Sequence, residues 1–165
     1  MIYVNQKLNF FAKIYNFFLI IGSNLQSLFL LFMRVTWGHQ FMLAGLEKLH
    51  NADHVTEYFS SMGIPLAQFN AYMVSYFEII GGVCLILGFA SRLITIPLIA
   101  ILLTALTTAH SHLLKDVLIL LDPHAFAQEM PYPYFITAML VFTFGPGRIS
   151  IDAWIKRWVE KQPRY

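Results

Sequence analysis

Residues 31–49, LFMRVTWGHQFMLAGLEKL, carry Arg34, His39, Gln40, Glu47 and Lys48 inside a long apolar run, and a second run, NAYMVSYFEIIGGVCLILGF, carries Glu78 near its centre. Such groups at bilayer depth must be paired, hydrated or tolerated at a cost. On a helix of about 100° per residue, Arg34, Gly38, Phe41, Gly45 and Lys48 share one face. Thr36, His39, Gln40 and Glu47 gather on the other side, and two polar stripes predict two packed neighbours. The glycines beside the basic stripe allow a second helix backbone to approach closely. Arg34 and Glu78 both fall near the middle of their runs, and consecutive helices on a short linker pack antiparallel, so a midplane ion pair is expected between them. His39 follows Arg34 by little more than one turn and brings a group that can donate, accept or change charge. Arg34, His39 and Glu78 are therefore the candidate catalytic set. Gln40, Lys48 and His110 are candidates for cofactor binding, although snorkelling at the membrane boundary accounts for Lys48 without any function. The plain alternative for the ion pair is a clamp between helices.

Metal chemistry has a narrower basis. His50 and His54 stand at i, i+4 with Asp53 and Glu57 beside them, a donor set suited to copper or zinc if the segment is helical, while His110 and His112 are two apart and diverge on a helix. Membrane-surface loops also collect such residues by chance. The single cysteine, Cys84, offers neither an internal disulfide nor a dithiol.

The elements that must position these groups follow from composition. Of 165 residues, 58% are hydrophobic and only 12% charged, against about 25% charged in a soluble domain. With a net charge of +2 and no nucleic-acid-binding pattern, nucleic acid is excluded as a partner and the lipid bilayer is expected as one. The predicted fold is an all-α membrane protein, a four-transmembrane-helix bundle in one domain over residues 1–165. Residues 1–24 form an N-terminal interfacial helix ending at the polar break Gly22-Ser23-Asn24; a rival reading runs a span through residues 14–33. The spans are expected at about 27–46, 70–89, 93–113 and 132–147, the first matching the length a bilayer core requires and the fourth short for it and leaning on its neighbours. Between the first two, residues 53–62 are expected as a surface helix stopped by Gly63 and Pro65. Ile151, Trp154, Ile155, Trp158 and Val159 then repeat on one face of an amphipathic juxtamembrane helix over 150–161, with Ser150 as its N-cap.

Lys7, Lys13, Arg92, Arg148, Lys156, Arg157, Lys161 and Arg164 lie on one side of such a bundle and only Lys48 and Lys115 on the other. That imbalance predicts a multi-pass membrane protein with both termini cytoplasmic.

Four blocks in order, RVTWGHQFMLAGLEKL, FSSMGIP, FEIIGGVCLILGFASRL and GPGRISID, resemble the DoxX family of small four-helix bacterial inner-membrane proteins over roughly residues 30–152. The resemblance implies a role linked to quinone, since named members are associated with terminal quinol oxidase and thiosulfate:quinone oxidoreductase assemblies. The leading expectation is a redox-associated, quinone-linked subunit or accessory of an oxidoreductase complex, working with other membrane subunits or as a homo-oligomer. On that reading the Arg34/Glu78 pair anchors a quinone headgroup or relays protons. An alternative is a non-catalytic scaffold or export partner for a small copper-handling peptide, because look-alikes sharing a PYPYFITA-like segment, here residues 131–138, belong with copper-handling gene sets. A third reading, a small-molecule transporter, fits the polar helix faces but lacks an internal repeat.

Overall fold

In apolar runs of this length the helix is the one local structure that satisfies its own hydrogen bonds in lipid. The computed structural model describes residues 2–108 and 131–161, with side chains from residue 12 onward, and the described elements are all helical. They are α1 (Ile2–His50), α2 (Ala52–Ser61), α3 (Ala67–Leu87), α4 (Ser91–Thr108), α5 (Pro131–Phe144) and α6 (Ile151–Glu160). The helices α1, α3 and α4 are long and apolar enough to cross a bilayer, and α5 is a shorter apolar helix. The expected all-α, multi-pass architecture is thus present.

One expectation changes. The polar triplet Gly22-Ser23-Asn24 does not separate an interfacial helix from the first span, because α1 runs through it for 49 residues, about 74 Å. Its hydroxyls are absorbed by the helix itself. Ser23 Oγ donates to the Ile20 carbonyl and Ser27 Oγ to the Ser23 carbonyl, the back-bonding that lets serine sit inside a helix.

The other boundaries have local causes. The helix α2 ends before Gly63, whose φ of +72° costs glycine little. The α3–α4 turn holds two left-handed residues, Gly88 and Ala90. For Ala90 that conformation is strained, and it is held from outside: the Ala90 and Ser91 amides donate to Asp152 Oδ1 and Oδ2 at 2.8 and 2.9 Å. The amide of Asp152 in turn donates to the Gly88 carbonyl. Ser150 caps α6 as expected, its hydroxyl accepting from the Ala153 amide at 3.1 Å.

The most extensive interface joins α1 to α3. Lipid tails provide no hydrophobic drive to bring helices together, so close packing must supply it. Gly38 lies against the Gly82 carbonyl, and Gly45 against the Ser75 carbonyl and Glu78. A small core of Phe41, Leu85, Leu98, Leu102 and Val141 ties α1, α3, α4 and α5 together.

Candidate functional site

The face of α1 that carries Arg34, Gly38, Phe41, Gly45 and Lys48 is the face that packs on α3, as the helical period requires. The pairing along it differs from expectation. Arg34 and Glu78 do not meet. Glu78, 6% exposed, accepts at Oε2 from Lys48 Nζ at 2.5 Å, while the fully buried guanidinium of Arg34 donates from Nη2 to the Ile149 carbonyl at 2.5 Å. Register explains the exchange. Glu78 stands opposite Gly45, one turn from Lys48 and about three turns, or 16 Å, from Arg34. Lys48 therefore reaches inward to a carboxylate rather than snorkelling outward, and its side chain keeps 32% of its surface exposed.

Beside this pair lies a largely apolar cavity of about 530 Å³, to which five helices contribute. Phe41, Lys48, Glu78 and Tyr134 line it, and Tyr58, Phe59 and Met62 of the α2 region close one side. The Tyr134 ring stands edge-on to Phe41 and Trp37, with centroids 4.7 and 5.2 Å away, an arrangement favoured by the ring quadrupoles. Chemically, the site offers one ammonium donor, one carboxylate and aromatic walls in a space of ligand size. Among the described residues no hydrogen bond engages Glu78 Oε1, so the carboxylate retains acceptor capacity.

Arg34 belongs to a different end of the bundle. A Cβ on Gly88 would collide with its Nη1, and Ser150 stands beside the same position. Among the described residues its Nε and Nη1 have no hydrogen-bond partner. Asp152 acts on it electrostatically but gives both carboxylate oxygens to the α3–α4 turn. Three of the blocks singled out in the sequence, those containing Arg34, Gly88 to Arg92 and Gly145 to Asp152, thus converge as a clamp on α6.

His39 and Gln40 are exposed, do not line the cavity beside Lys48 and Glu78 and are not brought to Glu78 or Arg34. The second polar stripe of α1 therefore has no packed neighbour of the kind expected for it. His50 and His54 are also exposed, and the turn at Asn51 breaks the continuous helix that their i, i+4 spacing needs to converge. Among the described residues no group of three or more His, Cys, Asp or Glu is placed to hold a metal. His110 lies outside the described residues.

Two contributors escaped sequence reasoning. Tyr134 lies in the 131–138 segment and Asp152 in the GPGRISID block, and neither had a separate signal of its own.

The DoxX family model matches residues 29–111, just over half of the chain and the stretch that builds α1 from Phe29, α2, α3 and α4. The chain is similar to a Bacillus subtilis (strain 168) protein named "Putative oxidoreductase CatD", with 26% identity over 125 residues, 76% of this chain and 85% of that protein. No solved structure matches significantly. The family match spans the α1–α3 glycine interface and both ends of the Lys48–Glu78 pair, so the chain belongs to the DoxX family.

Proposed function

We propose that this protein is a redox-associated membrane subunit or accessory that binds a quinone headgroup in the cavity beside Lys48 and Glu78. The observation that carries the reading is the cavity itself: mostly apolar walls and about 530 Å³, with one buried ion pair and the Tyr134 ring at its edge. That chemistry fits a flat, apolar ring bearing carbonyl oxygens. Lys48 supplies a hydrogen bond to a carbonyl, and Glu78 accepts a proton-bearing hydroxyl at Oε1 when the ring is in its reduced form. The similar Bacillus protein's name agrees with a redox setting. One cysteine in the sequence offers no dithiol; on this reading a partner subunit supplies the electrons.

The test uses Trp37, which touches Tyr134 at the cavity wall. In a Trp154→Phe/Trp158→Phe background it is the only indole left of the three. Decylubiquinone is expected to quench it saturably, and Lys48→Met to weaken binding about tenfold or more, the worth of one charge-assisted hydrogen bond. Quenching that never saturates, or is unchanged by Lys48→Met, overturns the assignment.

The proposal includes a bacterial inner-membrane location, from the family, with both termini cytoplasmic, from the eight-to-two distribution of Lys and Arg. Alkaline phosphatase fused after Tyr165 is expected to be inactive and a fluorescent protein fused there to be bright. The opposite pattern reverses the orientation.

A further inference from the structure

A second cavity, about 590 Å³ and open to one side, lies at the end of the bundle where the α3–α4 turn, the α5–α6 loop and α1 meet. Arg92, Arg148 and Lys156 line it. Arg92 and Arg148 are in no ion pair among the described residues: Arg92 Nη2 donates to the Thr143 carbonyl at 3.3 Å, and Arg148 Nη1 to Asn24 Oδ1 at 3.0 Å. Lys156 has only a distant, exposed partner in Glu160 at 3.8 Å. The one carboxylate in the lining, Asp152, is already committed to the Ala90 and Ser91 amides. Ser91, fully buried, is also in the lining, and its hydroxyl has no hydrogen-bond partner among the described residues. Three cations and an orphaned hydroxyl therefore surround a space whose only anion is occupied.

The apolar surroundings distinguish between anions. Leu30, Leu93 and Phe144 line the same cavity, and Leu93 and Phe144 stay largely exposed at the ends of their spans. Next to it, α6 turns Trp154, Trp158 and Val159 outward while Arg157 is held back by the Ala153 and Arg148 carbonyls. An amphipathic helix of this kind lies in the headgroup layer. A free inorganic anion leaves those apolar walls unused, whereas acyl chains continue along them into the bilayer.

We infer that this cavity binds the phosphodiester headgroup of an anionic phospholipid, with Arg92, Arg148 and Lys156 as its cationic ligands. Each basic group near an anionic surface contributes a modest attraction, and three of them acting together give a preference the experiment can read. The lipid fastens α6 to the α3–α4 turn and stands at the opposite end of the bundle from the Lys48–Glu78 cavity.

The experiment is native mass spectrometry of the full chain in detergent, titrated with phosphatidylglycerol or phosphatidylcholine of the same acyl chains. Wild type is expected to prefer phosphatidylglycerol about tenfold and to lose most of that preference between 50 and 500 mM salt. Arg92→Gln/Arg148→Gln/Lys156→Gln should bring the two lipids within about twofold, whereas Lys161→Gln, outside the cavity, should leave the preference intact. A wild-type protein that does not discriminate overturns the inference even if the triple variant fails to fold. Discrimination that survives in the folded triple variant overturns it as well. Inorganic phosphate is the second arm: if it competes with phosphatidylglycerol at equal concentration, the site is one for a free anion, and the lipid assignment falls.

Discussion

Replacing Lys48 with Met should destabilise this protein by about 3 kcal/mol, while Lys48→Met/Glu78→Leu should restore most of the loss. The single change leaves a 6%-exposed carboxylate among apolar neighbours without the ammonium 2.5 Å away that offsets its burial. The figure sits at the lower end of the range for broken buried pairs because the Lys48 side chain is 32% exposed and part of its attraction is screened. The reverse single change, Glu78→Leu, should cost less. It frees a lysine that can swing its head toward the membrane boundary, where snorkelling is easy. In detergent melts, the Lys48→Met loss corresponds to a Tm lowered by roughly 6–12 °C. Additive losses in the double variant would show that the pair does not act as a unit. The double variant also separates structure from function: a folded bundle that no longer binds decylubiquinone supports the proposed site, and one that binds it normally removes both groups from that role.

Much of this frame is legible in the sequence, because in a bilayer length and apolarity dictate a helix and glycine or proline dictates where it stops. The ends of α2 and α5, the Ser150 cap and the packed face of α1 all follow from such local signals. The partners of the buried charges do not. Arg34 and Lys48 lie on the same face of one helix, so either could meet Glu78, and periodicity assigns a direction around the axis without assigning a depth along it. Depth is decided by the antiparallel register, which the contacts at Gly38 and Gly45 set. His39 illustrates the complementary gap. The period correctly puts it on a different side from Arg34, but a stripe of polar residues says nothing about what covers it, and here it is exposed. The continuity of α1 through Gly22-Ser23-Asn24 was hidden for a third reason: a serine favours caps and turns, yet its hydroxyl can also bond a carbonyl one turn back inside a helix, as Ser23 and Ser27 do here.

Gly82→Val should abolish the folded bundle, and even Gly82→Ala should cost at least about 2 kcal/mol, because the added carbon has nowhere to go. A Cβ at this position would overlap the Gly38 carbonyl and stand 2.6 Å from the Met42 amide nitrogen, both of them backbone atoms of α1 that no rotamer change can move aside. The helices must separate, and in lipid separation forfeits the packing that holds them together, with no hydrophobic gain to offset it. Gly81→Ala is the neighbouring control. Its Cβ would meet only side-chain carbons of Leu98, at 2.9 to 3.1 Å, so a rotamer or a small shift can absorb part of the strain. Gly22→Ala is the distant one: nothing lies within 4 Å, and the substitution should be neutral or stabilising by up to about 1 kcal/mol through helix propensity alone. The same logic reaches the cavity through Gly45, whose Cβ would stand 2.7 Å from the Ser75 carbonyl oxygen and 2.9 Å from Glu78 Cβ. Gly45→Ala should therefore lower both Tm and quinone affinity, since it pushes α1 off α3 at the level where Lys48 reaches its carboxylate. Detergent melts of the four alanine variants should rank Gly82 and Gly45 far below Gly81, with Gly22 at or above wild type. A Gly82→Ala protein that melts with wild type would show that α1 and α3 do not pack through their glycines.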